Sequence, residues 1–210
     1  MNLLAFYSAN RSEVLGLLGE HLVLVLVSTL IAVALGVPLG VVLTRRRRLA
    51  APVLAVINAV QTVPSLAVFG FLIPLPLLGG IGARTAIVAL VLYALLPIVR
   101  NTVTGIRGVD PAVREAALGM GLADRDILYM VELPLAAGVI FAGVRVAAVV
   151  GVGIATIGAA IGAGGLGVYI FRGVATVNDT LILAGALPAA GVALALDAGL
   201  GWLERRLAAA

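Results

Sequence analysis

EAALGMGLADRDILYMVELP, residues Glu115–Pro134, is a charged stretch punctuated by glycine and set between apolar runs long enough to cross a bilayer. Just upstream, Asp110-Pro111 is a helix start, with an Asp cap and a Pro at the first helical position. Glu115-Ala116-Ala117 falls on that helix, Gly119 and Gly121 break it, and Asp124 is placed to cap a second short helix running to Leu133-Pro134. The pattern predicts a helix–turn–helix elbow whose alanines and glycines let another protein approach its backbone closely. Such an elbow suits docking more than chemistry.

The rest of the chain is membrane-like. It is 62% hydrophobic and 11% charged over 210 residues, with a mean hydropathy of +1.21, far from soluble composition. Aromatics are only 5% while Gly numbers 26, so helices are expected to pack through small residues. Strand-length alternation is absent, which argues against a β-barrel. With no cysteine there is no thiolate metal site, the single His21 cannot form a histidine site alone, and no metal is expected. All fourteen cations are Arg, so the chain lacks the lysine that a Walker A loop needs. The net charge of +4 is assigned to membrane orientation and not to nucleic acid.

Five segments are expected to span: His21–Thr44, Val53–Leu78, Ile81–Ile106, Leu133–Ile161 and Thr180–Leu203. Residues 1–20 are expected to form an interfacial helix and not a signal peptide. Arginines gather after the first, third and fifth spans, which predicts the N-terminus outside, the C-terminus inside and the elbow in the cytoplasm. The expected fold is all-α, a single polytopic domain over 1–210 with a cytoplasmic loop at 108–134.

The elbow carries a family resemblance. Glu115-Ala116-Ala117, three residues, Gly121, nine residues, Val131, one residue, then Leu133-Pro134 resembles the EAA signature of ABC importer permeases, with Val131 where the consensus has Ile. QTVPSLAVFGFLIP (Gln61–Pro74), YALLPIVRNTVTGI (Tyr93–Ile106) and IGAGGLGVYIFRG (Ile161–Gly173) resemble the permeases of osmoprotectant importers, which handle glycine betaine, carnitine, choline and related amines. The resemblance implies a MetI-like permease of a type I ABC importer in the inner membrane. It implies two permease subunits, identical or not, two ATPases that hold the ATP and Mg, and an external substrate-binding protein. The coupling residues it implies are Glu115, Ala116, Ala117, Gly121, Leu122, Ala123, Asp124, Leu133 and Pro134, with no cofactor and no catalytic residue on this chain.

Three further constellations each have two readings. Asn58, Gln61, Thr62 and Ser65, at i, i+3, i+4 and i+7, share a helix face that either lines the translocation path, with Pro64 bending the gate, or packs by interhelical hydrogen bonds. Arg145 lies eleven residues beyond Pro134, roughly 16 Å along a helix, and Asp197 lies inside the last span. Isolated charges at such depth need partners or water, so a mutual tie and a substrate contact both stay open. Gly162, Gly164, Gly165 and Gly167 form a flexible external turn or gate, or a close helix packing; no βαβ context supports a dinucleotide reading of Gly-x-Gly-x-x-Gly. Import of another small solute such as an amino acid, ion-coupled secondary transport and a structural scaffold are the rival functions.

Overall fold

The computed structural model describes residues 3–208, and among these there are helices and turns but no strand. Helix α1 (Leu3–Ala9) is followed at once by α2 (Arg11–Arg45), a continuous helix of 35 residues. The interfacial helix expected over 1–20 is therefore divided, with Leu3–Ala9 a short helix of its own and the remainder part of α2. Its residues 11–20 contain no proline to stop them and run straight into the first span; Met1 and Asn2 lie outside the described residues. At 1.5 Å per residue α2 is about 52 Å long, so one end stands clear of a hydrocarbon core of about 30 Å.

The second expected span is broken. Helix α3 (Arg47–Thr62) and helix α4 (Ser65–Leu72) meet at an angle of 101°. Pro64 disfavours helical geometry in its predecessor, and Val63 is accordingly extended at φ −78°, ψ 131°. Ser65 therefore does not share the α3 face with Asn58, Gln61 and Thr62, which corrects the four-residue stripe. Past Leu72 the chain turns through Pro74 and Pro76 and never recovers a helix before α5 (Ala83–Arg107).

Helix α6 (Pro111–Gly119) and helix α7 (Asp124–Ile127) form the elbow. The second limb runs to Leu133-Pro134, where the fourth span was expected to begin and its helix does begin. It passes through one π-type turn (Leu128–Glu132) into α8 (Leu133–Gly158), where the Leu133 N–H donates to the Leu128 carbonyl. The longer turn lets Pro134 enter, at the start of α8, without breaking the helix. A 3₁₀ turn (Ala159–Ile161), helix α9 (Gly167–Ala175) and helix α10 (Asp179–Ala208) complete the chain. Four helical runs are long and apolar enough to cross a membrane, or five if the bent α3–α4 pair counts as one.

Helix α5 is the axis of the bundle, flanked by α2 and α8. Phe69, Leu90, Ala155 and Leu166 close the core far from the elbow, and Ile106, Ala136 and Ile140 close it near the elbow. Glycine makes these contacts close. A Cβ on Gly40 of α2 would stand 2.5 Å from Thr102 Cβ, and one on Gly143 of α8 would stand 2.6 Å from the Pro97 carbonyl oxygen. Gly36 and Gly40 thus form a small-xxx-small seam, the packing expected where lipid provides no hydrophobic drive between helices.

Candidate functional site

The elbow is built as its sequence dictates. Asp110 Oδ1 accepts the Ala112 N–H at 2.9 Å and Pro111 begins α6. Gly121 adopts φ +84°, a left-handed conformation that glycine takes at no steric cost. Nothing lies within 4 Å of where its Cβ would be, so Gly121 is needed for conformation and not for room.

Ala117 and Ile127 are buried, and α6 packs on α7 and on the turn that follows it. Glu115, Ala116, Gly119 and Gly121 are exposed, beside exposed Leu118 and Met120. A mixed surface of one carboxylate, small residues and two bare apolar side chains is suited to a protein partner. Leu122, Ala123 and Asp124 follow on the return limb. Ala123, not Asp124, occupies the cap position of α7, and no side chain caps it. Asp124 instead accepts from Arg114 Nη2 at 3.3 Å, tying the two limbs together.

The sequence reading missed the residue that fixes this elbow. Glu132 is 3% exposed and receives two arginines. Arg45, the last residue of α2, reaches both of its oxygens, with Nη1–Oε1 at 3.2 Å. Arg114 of α6 reaches Oε1 through Nε at 3.2 Å. One buried carboxylate thus joins the first span, the elbow and the base of α8. The only signal in the sequence was a lone acid beside Leu133-Pro134; which arginines would reach it is a matter of tertiary packing.

The broken helix divides the polar stripe by role. Pro97 of α5 has no N–H for the Tyr93 carbonyl. Gln61 Nε2 supplies the missing bond at 2.7 Å. The Tyr93 hydroxyl in turn donates to the carbonyl of Val63 at the α3–α4 break. Gln61 therefore packs α3 on α5. Thr62 bonds its own helix at Ala59; Asn58, Gln61, Thr62 and Pro64 are exposed, with Ser65 half-buried.

At the end of the bundle opposite the elbow, the glycine loop is packed and not a flexible turn. Gly162, Gly164 and Gly165 all have positive φ. The Gly165 N–H donates to Glu20 Oε2 at 2.9 Å, and a Cβ on Gly164 would stand 2.2 Å from that same oxygen. A Cβ on Gly167 would stand 1.9 Å from the Thr156 carbonyl oxygen. Close approach demands glycine here. His21 is fully buried beneath the loop. Nearby, burial first and then Glu13 push the Tyr169 hydroxyl up to about 12.

Arg145 and Asp197 form a two-point ion pair at 2.6 and 2.8 Å. Glu204 joins at 3.3 Å. The cluster is partly open, lining a cavity of about 280 Å³ with Ala142, Val146, Val149 and Val150. Among the described residues, no group of His, Cys, Asp and Glu has metal-binding geometry.

The family model described as "Binding-protein-dependent transport system inner membrane component" matches residues 32–209. Among curated relatives, the choline transport system permease protein OpuBD of Bacillus subtilis (strain 168) is 46% identical over 206 residues, covering 98% of this chain and 90% of the relative. The glycine betaine/carnitine/choline transport system permease protein OpuCD of the same organism is 46% identical over 203 residues, covering 96% and 87%. The osmoprotectant import permease protein OsmW of Salmonella typhimurium is 42% identical over 209 residues, covering 99% and 95%. Among solved structures, an inward-facing form of the MetNI methionine ABC transporter aligns with a TM-score of 0.81 at 24% identity, covering 90% of this chain and 93% of that one; this likeness concerns the fold.

Proposed function

Because the chain belongs to the family of binding-protein-dependent transport system inner membrane components, as a permease subunit of an osmoprotectant ABC importer, we propose how its parts divide the work and what it carries. The cargo is a small compatible solute with a quaternary ammonium group, such as glycine betaine, carnitine or choline, as the names of its relatives suggest. An external binding protein delivers it. Separate ATPase subunits that hold ATP and Mg drive the cycle, and a second permease subunit completes the pathway. The N-terminus lies outside; the elbow and the C-terminus lie in the cytoplasm.

The observation that carries this reading is the exposed elbow between two spans, tied to them by Glu132. A push on α6 is passed through Arg114–Glu132 to the base of α8 and through Arg45–Glu132 to α2. The return limb and α8 form one helical run, Asp124–Ile161, so displacement of the elbow tilts the whole run. Rigid-body movement of α2 and α8 then opens one end of the pathway and closes the other. Asn58, Thr62, Pro64 and Ser65, at the α3–α4 break, line the path; Gly162, Gly164, Gly165 and Gly167 form the outer closure. With one Trp, five Phe and four Tyr, the chain is poor in the rings that an aromatic cage for a quaternary amine needs. Selection accordingly resides mainly in the binding protein.

The test is reconstitution with the ATPase and binding protein encoded alongside it, measuring ATP turnover with each solute. Acceleration by betaine, carnitine or choline, and not by methionine, is expected. Uptake by this chain alone, driven by an ion gradient, would overturn the reading.

A further inference from the structure

The elbow end of the bundle holds a cavity of about 590 Å³ between the last turns of α2 and α5 and the start of α6. Arg45, Arg47, Arg107 and Arg114 line it, against the single carboxylate of Glu132. That carboxylate is already shared by Arg45 and Arg114. Arg107 donates only to the Leu43 carbonyl, at 3.2 Å, and among the described residues no carboxylate pairs with Arg107 or Arg47. Arg114 is also paired with Asp124, so Arg47 and Arg107 are the two uncompensated cations of this cavity.

Orientation alone requires cations near this end of the spans, but it does not require them to converge on one concavity. The position of the cavity identifies its occupant. Arg45 and Arg107 are the last residues of α2 and α5, two helices long and apolar enough to cross a membrane, and arginines at such ends are suited to the headgroup level. Val42 and Leu49, three residues to either side of the Arg45-Arg46 corner, are exposed apolar side chains. A charged mouth with an apolar flank matches the two halves of an anionic phospholipid, and basic pockets between spanning helices bind such headgroups. Guanidinium groups also suit a phosphate through paired N–H donors.

We propose that this cavity binds the phosphodiester headgroup of an anionic membrane lipid, held mainly by Arg47 and Arg107 and touching the outer edge of the Arg45–Glu132–Arg114 clamp. The lipid then forms a fourth arm of the clamp and biases the resting position of the elbow. This assignment does not depend on the cargo, so its failure is distinguishable from failure of the import reading.

The test uses the full chain in its assembled complex, extracted from nanodiscs of roughly three parts phosphatidylcholine to one part phosphatidylglycerol, with retained lipid counted by native mass spectrometry. Arg47→Gln/Arg107→Gln should lower phosphatidylglycerol retention about thirtyfold, the loss expected for two headgroup-facing cations, and Arg47→Gln alone about fivefold. Arg47 has no ion-pair partner to lose, so the single variant tests the site even if the double variant assembles poorly. Arg206→Gln, at the far end of α10, should leave retention unchanged. Equal retention in wild type and Arg47→Gln would overturn the proposal. So would millimolar inorganic phosphate filling the site in pure phosphatidylcholine, which would make the ligand a free anion, or loss of the lipid on ATPase docking, which would make the cavity part of that interface.

Discussion

Glu132 and Arg45 are held in a two-point ion pair across 87 residues of chain, and this pair fastens the end of the first span to the base of the fourth. The energetic weight is asymmetric. Glu132 is buried, whereas the arginines are 35% and 42% exposed on their side chains and can turn to water. Glu132→Gln should therefore cost little stability, about 1–2 kcal/mol. Arg45→Gln/Arg114→Gln strands a buried carboxylate and should cost more, toward about 3–5 kcal/mol. Thermal unfolding of the assembled complex gives that ranking. In both variants solute-stimulated ATP turnover should fall, because the elbow no longer moves the bundle; equal stimulation to wild type would remove the clamp from the coupling route.

Gly121 predicts a different pattern. Its φ of +84° penalises any side chain by conformation, about 1–2 kcal/mol, but the open space around it admits bulk. Gly121→Asn, which tolerates a left-handed backbone, should keep most activity. Gly121→Pro, and Ala116→Trp on the exposed face, should insert normally yet abolish transport-coupled hydrolysis. Ordinary coupling in Ala116→Trp would mean that no partner approaches this face.

The elbow was legible because its cues are local: an Asp-Pro start, a glycine at the turn, and apolar lengths on either side. Those cues did not show that the second limb is continuous with α8 through the π-type turn before Leu133. The break at Val63-Pro64 was read as a bend, but a bend of 101° leaves the Val63 carbonyl to find a partner off its own helix. That partner is the Tyr93 hydroxyl of α5, while Gln61 of α3 in return serves the Tyr93 carbonyl that Pro97 leaves free. Glu132 was invisible for the same reason: its partners are 87 and 18 residues away, and no periodicity within one segment reports them.

That division within the α3 stripe is measurable. Gln61→Leu leaves the part-buried Tyr93 carbonyl without its donor and should destabilise the fold by about 0.5–1.5 kcal/mol, with uptake reduced in proportion to the protein lost. Asn58→Leu and Thr62→Val remove no interhelical bond. They should leave the melting temperature unchanged while altering uptake rate or apparent solute affinity per folded molecule. Unchanged uptake in both would place the path elsewhere.

Arg145 and Asp197 offer a test by exchange. Arg145→Asp places three acids together with Asp197 and Glu204, and Asp197→Arg leaves two cations with Glu204 alone, so both single variants should assemble poorly. The double variant restores the pair in reverse and should recover most of the assembly, measured as co-purifying ATPase. Asp197→Asn should be milder than either, since Arg145 keeps Glu204 at 3.3 Å. A double variant no better than Arg145→Asp would show that the pair does not hold these helices together.

The glycine loop separates room from conformation at the other end. A methyl on Gly167 would meet the Thr156 carbonyl oxygen at 1.9 Å, and that oxygen belongs to the backbone of α8, so it cannot swing aside. On Gly164 the obstacle is Glu20 Oε2 at 2.2 Å, a side-chain atom that can move, though moving it deprives the Gly165 N–H of its acceptor. Gly199, in α10, has nothing within 4 Å of the added carbon. Gly167→Ala should thus be the most damaging of the three, by roughly 2–4 kcal/mol, and Gly164→Ala intermediate. Gly199→Ala should be neutral or stabilising by up to about 1 kcal/mol. Membrane abundance and thermal unfolding would read the order directly. If Gly167→Ala accumulates and melts like wild type, the close seat of α9 on α8 is wrong, and the loop is the open turn, the other of its two readings.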